Sequence, residues 1–378
     1  MERKHDQQAY DVAAYVWPSY TGDEPRTRIF WNEGYGEWQT VKNIRQNSVH
    51  KPADYIWDRK PLWGYVNEAN PDVMRMQIDC AYEHGINVFI YDWYWYDDRP
   101  FLENCLNDGY LKAKNNDLVR FYLMWANHDA NHMWSIDTSD TTGSEVLWHG
   151  DVSFDSFKTI VHRWIDKYFS HPSYYTIDGK PVLLIYSITN FLKSFGGVEG
   201  AREAIRYFRA EVEKAGFPGL HLQLVYNAFE GFYYDGRFGG NETGDAYELL
   251  DFDSVTHYNM GTQAQRNKDY TEIIKDHKTS YDEMDTLGRL YFPQVSVGWD
   301  SNPRFREFKP YITKNNTPEN VKRAFAQAKE YVDTHELPVP LVVINSWNEW
   351  TETSYLQPDN VYGYGYLEAV RDVFVAEK

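Results

Sequence analysis

The sequence has little that would bind an anionic polymer or cross a membrane. Its 56 Asp and Glu outnumber its 38 Lys and Arg, so the formal charge is −18 at pH 7. Such a surface repels phosphate backbones, which excludes nucleic-acid binding as the expected function. No run of about 18 apolar residues is present that would span a bilayer. Residues 1–8 are polar and lack an apolar signal core, so the compartment stays open: periplasmic or extracellular if a signal peptide was removed, cytoplasmic otherwise.

Cysteines and cofactor motifs are equally scarce. Cys80 and Cys105 lack metal-ligand spacing, and two buried thiols are expected, with one disulfide as the alternative. No H-E-x-x-H, G-x-S-x-G or G-x-G-x-x-G pattern occurs. The sequence therefore predicts no metal and no other cofactor, and it argues against serine-hydrolase chemistry and dinucleotide binding. The D-x-D letters at 251–253 precede a predicted strand, whereas barrel sites follow strands.

What the sequence does contain is a series of short apolar segments separated by helical patterns. Continuous segments of this kind are typical of parallel strands buried on both faces. The predicted strands are 12–16, 87–91, 120–125, 181–186, 220–226, 254–258, 291–297 and 341–344. Helical spacing predicts helices at 71–84, 151–169, 200–215 and 317–334. This alternation predicts one (β/α)8 barrel domain over residues 1–378 with a long first βα loop at 18–70, and a doubly wound sheet is the alternative.

The most informative segment follows the last predicted strand and reads W-N-E-W-T-E at 347–352. Two carboxylates stand three residues apart among indoles and amides. Cleavage of a glycosidic bond needs an acid, a base and a surface on which a sugar stacks, and these residue types supply all three. A polar loop with a tryptophan anchor is the structural alternative. Because the loops after barrel strands carry the active site, we predict Glu349 and Glu352 as the catalytic residues.

The other strand ends repeat the combination of an aromatic ring with a hydrogen-bonding group. The chain has 31 Tyr, 20 Phe and 14 Trp, and rings with polar tips suit the apolar faces and hydroxyl edges of a sugar. Taken singly, each of these residues has a structural alternative. A ring can pack in the interior, His128 and His257 can have structural roles, and Asp92 can be a helix N-cap. The partner predicted is a carbohydrate substrate. The predicted substrate-binding residues are Trp17, Tyr20, Tyr91, Asp92, Trp95, Trp125, Asn127, His128, Asn227, His257, Tyr258, Trp299, Asn348 and Trp350.

Several segments together make the chain similar to a known family. They are 14–20 with Glu37-Trp38 downstream, 85–95, 125–127 and 347–352. These segments resemble the glycoside hydrolase family 99-like, WbsX-type group, whose relatives include endo-α-1,2-mannosidases and endomannanases. The resemblance spans most of the chain. It implies a (β/α)8 fold and cleavage of α-mannosidic bonds with retention.

The resemblance also implies a role for each glutamate. Glu349 would act as a base on the substrate's own 2-hydroxyl, which attacks the anomeric carbon and forms a 1,2-anhydro sugar. Glu352 would protonate the leaving oxygen and then activate water. Hydrolases of the family usually have Gly after the second glutamate, where this chain has Thr353. Two other functions stay open: a carbohydrate-binding protein without catalysis, and a transferase of polysaccharide biosynthesis, because some WbsX-type members have been labelled glycosyltransferases.

Overall fold

The computed structural model describes residues 8–44, 51–226, 233–234, 236–237, 244–259 and 267–375. Within these residues the central sheet contains eight parallel strands: β1 Asp11–Val16, β2 Val88–Tyr96, β3 Arg120–Trp125, β4 Lys180–Ile185, β5 His221–Tyr226, β6 Ser254–His257, β7 Gln294–Ser296 and β8 Leu341–Asn345. Their order is β6-β5-β4-β3-β2-β1-β8-β7. A parallel bridge between Val255 and Tyr291, just before β7, joins the two ends of this order. The prediction of a (β/α)8 barrel is confirmed.

The predicted strand positions hold, and the differences lie at the strand ends. β2 continues to Tyr96 and pairs there with an antiparallel segment, Arg99–Phe101. β7 is shorter than the predicted 291–297. Pro293 stands immediately before it, and a proline has no N–H to donate to a strand ladder. These differences move strand ends without changing which segment enters the barrel.

Helices lie between successive strands and cover the sheet. They are α1 Trp38–Asn43, α2 Pro71–Glu83, α3 Phe154–Trp164, α4 Ile188–Phe195, α5 Val198–Lys214, α6 Ala246–Leu249, α7 Tyr270–Thr286, α8 Pro318–Thr334 and α9 Gly365–Phe374. The predicted helix 151–169 is α3 followed by a π-helical segment, Ile165–Phe169. α7 was not predicted from the sequence. Its buried face mixes the rings of Tyr270, His277 and Tyr281 with Ile273, Ile274 and Met284. None of the helices in the described part of the chain is long and apolar enough to cross a membrane.

Side chains alternate between the two faces of each barrel strand, and this alternation decides which of them reach the interior. Asp92 and Tyr94 of β2 face the interior, where they line a cavity. Tyr91 directly precedes Asp92 and points to the opposite face. Its ring packs outside the barrel, with its centroid 5.7 Å from that of the Tyr110 ring. Cys80 and Cys105 are buried free thiols on this outer side, as predicted.

The long first βα loop folds over the C-terminal end of the barrel. It contains α1, and the ring of Trp38 lies 5.8 Å from that of Trp350 in the loop after β8. Farther along, the carboxylate of Glu68 accepts a hydrogen bond of 2.8 Å from the side chain of Asn348. The first loop therefore supports the segment that carries the two predicted catalytic glutamates.

Candidate active site

A cavity of about 260 Å³, here called the first cavity, opens at the carboxyl ends of the strands. Aromatic rings, carboxylates and a single arginine line it. The lining residues are Trp17, Asp92, Tyr94, Met124, Ala126, His128, Asp129, Asn131, Met133, Trp134, Tyr186, Tyr258, Arg304, Glu349 and Glu352. Both predicted catalytic residues are among them, together with four of the predicted substrate-binding residues.

Arg304 joins three carboxylates beside the first cavity. Its Nε donates to Glu37 at 3.1 Å, its Nη2 to Glu349 at 2.5 Å and its Nη1 to Glu352 at 2.7 Å. The arginine is only 8 % exposed and Glu349 only 1 % exposed. A buried cation of this kind is stable only when charged partners surround it. The guanidinium therefore fixes the two glutamates side by side.

The local backbone explains why both glutamates point the same way. Glu349 begins a short 3-10 helix, Trp350–Glu352, in which side chains three residues apart lie above one another. The Ser346 hydroxyl accepts a hydrogen bond of 2.9 Å from the Glu349 N–H and fixes the start of this turn. The E-x-x-E spacing therefore places two carboxylates on one face.

Thr353 ends this turn with a left-handed backbone, φ 55°. Glycine takes that conformation without strain, whereas a residue with a side chain is strained in it. Here the Thr353 hydroxyl donates to the Asp300 carbonyl at 2.9 Å and accepts from the Trp57 indole at 2.9 Å. These two bonds hold the turn that follows Glu352.

Burial raises the pKa of three carboxyls that line the first cavity. The pKa of Glu349 lies well above its ordinary value because burial outweighs the opposing charge of Arg304. Burial also raises the pKa of Glu352, again against Arg304. The pKa of Asp92 is raised well above its ordinary value by burial and then by the charge of Glu352. Such an environment favours a protonated carboxyl beside an ionised one, the combination that acid–base chemistry requires.

Two oxygens in this cluster have no partner. Asp92 Oδ1 and Glu352 Oε2 are buried and accept no hydrogen bond within the part of the chain that the structure describes. Buried polar atoms are normally hydrogen-bonded, so an unpartnered pair at a cavity marks a place where a ligand's hydroxyl groups can donate. The nearby Tyr258 hydroxyl acts against burial and lowers the pKa of Asp92.

Aromatic rings and a neutral histidine complete the wall of the first cavity. The Trp17 ring lies 5.6 Å from that of Tyr94 and 5.3 Å from that of Trp134, and the Trp17 indole donates to Glu37. The pKa of His128 is lowered by burial, which favours its uncharged form. Trp17, Asp92, His128 and Tyr258 thus lie where the sequence predicts substrate contacts.

Four other predicted contacts lie outside the barrel, which corrects the expectation that they reach the substrate. Tyr91, Trp95 and Trp125 alternate with the residues that face inward, so they pack against helices. The Trp95 indole donates to Ser156 of α3 at 3.0 Å, and the ring of Trp125 stacks 5.8 Å from that of Phe157. His257 also faces outward, and its Nδ1 lies 2.9 Å from the Tyr291 hydroxyl.

Four further residues support the first cavity from behind, and their placement corrects the expectation that they contact the substrate. Asn127 binds the Ser187 backbone, with both bonds at 2.8 Å. The Trp350 indole donates to Gln357 at 2.7 Å, and its backbone N–H donates to the Tyr20 hydroxyl at 3.2 Å. Tyr20, Asn127, Asn348 and Trp350 are all fully buried.

The last two predicted contacts lie elsewhere. Trp299 lines a second cavity rather than the first, so the expectation that it belongs to the site of the two glutamates is also corrected. Asn227 falls outside the described residues, and its predicted role stays a prediction.

Sequence reasoning missed Tyr94, Trp134, Tyr186 and Arg304. Strand alternation predicts that Tyr94 faces the interior once Asp92 is placed there. The same alternation along β4 applies to Tyr186, which directly follows that strand. Trp134 belongs to a short 3-10 helix, His132–Trp134, that carries no motif. Arg304 gives no signal either, because an arginine in a loop normally lies in water.

One group of side chains has the composition of a metal site. Among the described residues, ligand atoms of Asp129, His149 and Asp151 lie within 4.8 Å of one another. Asp151 already pairs with Lys193 at 2.7 Å, and Asp129 accepts the Gly150 N–H at 2.7 Å. Protein groups therefore already bond both acids.

The eight parallel strands and the surrounding helices define a (β/α)8 barrel protein with a cavity at the carboxyl ends of its strands. A solved structure described as a glycoside hydrolase-like protein superposes with a TM-score of 0.62 at 17% identity, over 100% of this chain and 97% of that chain. The family 99 endo-α-mannosidase of Bacteroides thetaiotaomicron superposes with a TM-score of 0.56 at 13% identity, over 96% of this chain and 95% of that chain. At these identities the likeness establishes the fold.

The chain belongs to the WbsX family. The family model described as Glycosyltransferase WbsX matches residues 12–370, which confirms the resemblance seen in the sequence. The "Uncharacterized protein WxcX" of Xanthomonas campestris pv. campestris is 27% identical over 365 residues, covering 92% of this chain and 47% of the relative. This chain therefore spans about half the length of the curated relatives it matches.

Proposed function

We propose that this protein is a glycoside hydrolase that cleaves an α-linked, uncharged poly- or oligosaccharide with retention, and that the substrate contains mannose. The observation that carries the proposal is the pair formed by Glu349 and Glu352, which share the Arg304 guanidinium inside an aromatic cavity. Glycosidases typically use a pair of carboxylates, here beside a surface of aromatic rings. The fold shared with the endo-α-mannosidase adds support for the α-mannosidic bond.

The proposed reaction has two steps with balanced proton transfers. In the first, Glu349 takes the proton of the substrate's 2-hydroxyl, the 2-oxygen bonds to the anomeric carbon, and the glycosidic bond breaks as Glu352 protonates the leaving oxygen. A 1,2-anhydro sugar results. In the second, water attacks the anomeric carbon and gives a proton to Glu352, the bond from that carbon to the 2-oxygen breaks, and Glu349 returns its proton to the 2-oxygen. Two inversions at one carbon give net retention.

The environment of Glu352 suits its role as the acid, and two opposing effects act on Glu349 as the base. Glu352 must be protonated at the start, and burial raises its pKa in that direction. Glu349 must be ionised, and the charge of Arg304 opposes the rise in its pKa that burial causes. A base with a raised pKa binds a proton strongly when ionised, which helps it act on a weakly acidic hydroxyl.

The charges of the first cavity favour an uncharged substrate. Asp92, Asp129, Glu349 and Glu352 line it, and Arg304 is its basic residue. That arginine is already shared among three carboxylates, so it has little capacity left for an anionic ligand. Uronic acids and phosphorylated sugars are therefore poor candidates.

The test is incubation of the protein with α-mannans and bacterial polysaccharides, with products identified by mass spectrometry. Glu349→Gln and Glu352→Gln are expected to abolish release of sugar, whereas Glu33→Gln on the exposed part of the first loop leaves it intact. An aryl glycoside separates the two roles, because its good leaving group needs no acid. Glu352→Gln should keep much of its first-step rate on that substrate and Glu349→Gln should not. Full activity of Glu352→Gln on the unactivated glycan contradicts the proposal.

The description of the family favours a second candidate, a glycosyltransferase. A transferase that uses a sugar nucleotide has to bind a diphosphate, and the acidic first cavity disfavours one. The D-x-D letters lie away from this cavity, and Asp253 pairs with Arg209 at 2.9 Å. Thermal stabilisation by uridine- or guanosine-diphosphate sugars, together with no release of sugar from any glycan, would favour the transferase. Binding of glycans without either activity would favour a carbohydrate-binding protein.

A further inference from the structure

A second cavity of about 440 Å³ adjoins the first. Two short segments separate them, and each segment contributes to both. Asp300 lines the second cavity while Arg304, on the same segment, lines the first. Thr353 lines the second cavity while its neighbour Glu352 lines the first, and the Asp300 N–H donates to the Glu352 carbonyl at 2.7 Å. A ligand in the second cavity would therefore contact the same two segments that carry Arg304 and Glu352.

Aromatic rings form much of the second cavity. Tyr55, Trp299 and Phe308 line it, and the rings of Tyr55 and Phe308 meet edge to face at 5.4 Å. Trp299 is the residue that the sequence predicts as a substrate contact at the end of β7. Its position explains why that prediction fails for the first cavity while the ring still faces a space of ligand size.

Polar groups are interleaved with these rings. The Thr313 hydroxyl is buried, with the residue 8 % exposed, and it has no hydrogen-bond partner among the residues that the structure describes. Asp300 is 6 % exposed and accepts a hydrogen bond of 2.8 Å from the Tyr55 hydroxyl. A purely apolar occupant would leave the Thr313 hydroxyl unsatisfied, which costs free energy. A ligand with both apolar faces and hydroxyl groups fits better.

The charges around the second cavity are largely paired. Arg59 is bonded to Asp359 at 3.0 Å, and the Lys51 ammonium donates to the Asn302 carbonyl at 2.6 Å. Lys51 lies behind the lining, and besides Arg59 and Asp300 the charged residues of the lining are Asp54 and Lys314, which are exposed and of opposite sign. The second cavity therefore offers no strong net charge, unlike the acidic first cavity, and it suits an uncharged ligand.

We propose that the second cavity is an accessory binding site for an uncharged oligosaccharide. Rings that stack on the C–H faces of a sugar and buried groups that bond its hydroxyls are the chemistry that recognises such a ligand. The choice of glycan as the ligand class rests on the proposed function, because a glycosidase acting on a long chain gains from holding it at a second place. Binding at this site does not itself require cleavage.

Binding measurements in a protein that cannot cleave test the proposal. The Glu349→Gln/Glu352→Gln double variant is titrated with α-mannotetraose, maltotetraose, cellotetraose and xylotetraose, and affinity is measured by calorimetry and ligand-observed NMR. We expect at least one of these probes to bind, and Trp299→Ala and Phe308→Ala each to weaken it by about tenfold, the loss of one stacking contact. Tyr35→Ala, which removes an exposed ring outside both cavities, should leave the affinity unchanged. Circular dichroism checks that each variant is folded.

The outcomes separate this inference from the proposed hydrolase activity. Cleavage by the wild-type protein, together with binding that neither Trp299→Ala nor Phe308→Ala weakens, overturns the accessory site and leaves the hydrolase standing. Binding that both variants weaken, with no glycan cleaved by the wild-type protein, supports the accessory site and overturns the hydrolase. Absence of binding by every probe overturns the accessory site.

Discussion

The side-chain amide of Asn348 binds the backbone of Trp17 through two hydrogen bonds. Its Oδ1 accepts from the Trp17 N–H at 2.8 Å, and its Nδ2 donates to the Trp17 carbonyl at 2.9 Å. The ladder between β1 and β8 has already ended at Ala14 and Ile344, so this amide continues the pairing by other means. It holds the residue before Glu349 against the residue whose ring lines the first cavity.

Asn348→Ala should therefore lower the free energy of unfolding by about 3 kcal/mol, because it leaves buried backbone groups of Trp17 without partners. Urea denaturation measures the change. Asn43→Ala, which removes a single exposed bond to Glu33, should cost less than about 1 kcal/mol. Equal losses in the two variants would show that the Asn348 amide has no special role.

Arg304→Lys should reduce kcat/KM on the order of 100-fold, because one ammonium cannot bond three carboxylates as the guanidinium does. Arg304 lowers the pKa of Glu349 and Glu352, so weakening it raises the pKa of both. The acidic limb of the pH–rate profile, set by ionisation of the base, should move to higher pH. Arg306→Lys, at an exposed arginine paired with Asp137, is the control and should leave the profile in place. A profile that does not move in Arg304→Lys contradicts the assigned role of the cluster.

Glu68 should make the stability depend on pH. Burial raises its pKa from an ordinary 4.5 to about 7, although side-chain amides donate to it. An acid whose pKa is higher in the folded chain stabilises the fold fully below its ordinary pKa, and this contribution is lost as the pH rises through about 7. The wild-type protein should lose about 3 kcal/mol from this residue between those limits.

Glu68→Gln should remove that part of the slope when unfolding free energies are compared from pH 4.5 to pH 8. Burial also raises the pKa of Glu24 to about 7, so the contribution of Glu24 to the pH dependence of stability should remain in this variant. Glu33→Gln, at an exposed position, should leave the slope as it is in the wild-type protein. An unchanged slope in Glu68→Gln would mean that Glu68 is ionised throughout this range.

Asp92→Asn should raise the stability of the protein and lower its catalytic activity. The amide keeps the shape of the side chain but removes the free-energy cost of burying an acid next to Glu352, which should raise the free energy of unfolding by about 1 kcal/mol. Loss of the carboxylate that accepts a sugar hydroxyl should lower kcat/KM on the order of tenfold. Thermal unfolding and kinetics on one glycan measure both, with Asp155→Asn at the exposed start of α3 as the control. A less stable variant with full activity would make Asp92 a structural residue.

The sequence allowed the fold to be predicted because the barrel rests on local signals. Parallel strands buried on both faces read as continuous apolar segments, and helix ends carry caps such as Thr317, whose hydroxyl accepts the Asn320 N–H at 3.4 Å. The two glutamates could be predicted for the same reason, because they belong to a short motif that directly follows β8. A helix such as α7 is harder to predict, because tyrosines and a histidine interrupt the aliphatic residues of its buried face.

The substrate contacts were harder to predict, because being near a strand end does not say which way a side chain points. Counting in twos from Asp92 includes Tyr94 and excludes Tyr91 and Trp95, so part of the error was avoidable. Arg304 is different. It reaches the glutamates only through the course of the loop after β7, and no residue near it in the sequence indicates that course.

The charge balance at Arg304 has a consequence for exchanging loops between relatives. Glu37 lies on the first βα loop and Arg304 on the seventh, yet their side chains form one ion pair of 3.1 Å. A graft of the first loop alone that lacked an acid at this place would leave the arginine undercompensated, and a graft of the seventh alone that lacked the arginine would bring three carboxylates together. The two loops form one electrostatic unit, so a chimera built on this chain has to exchange them as a pair.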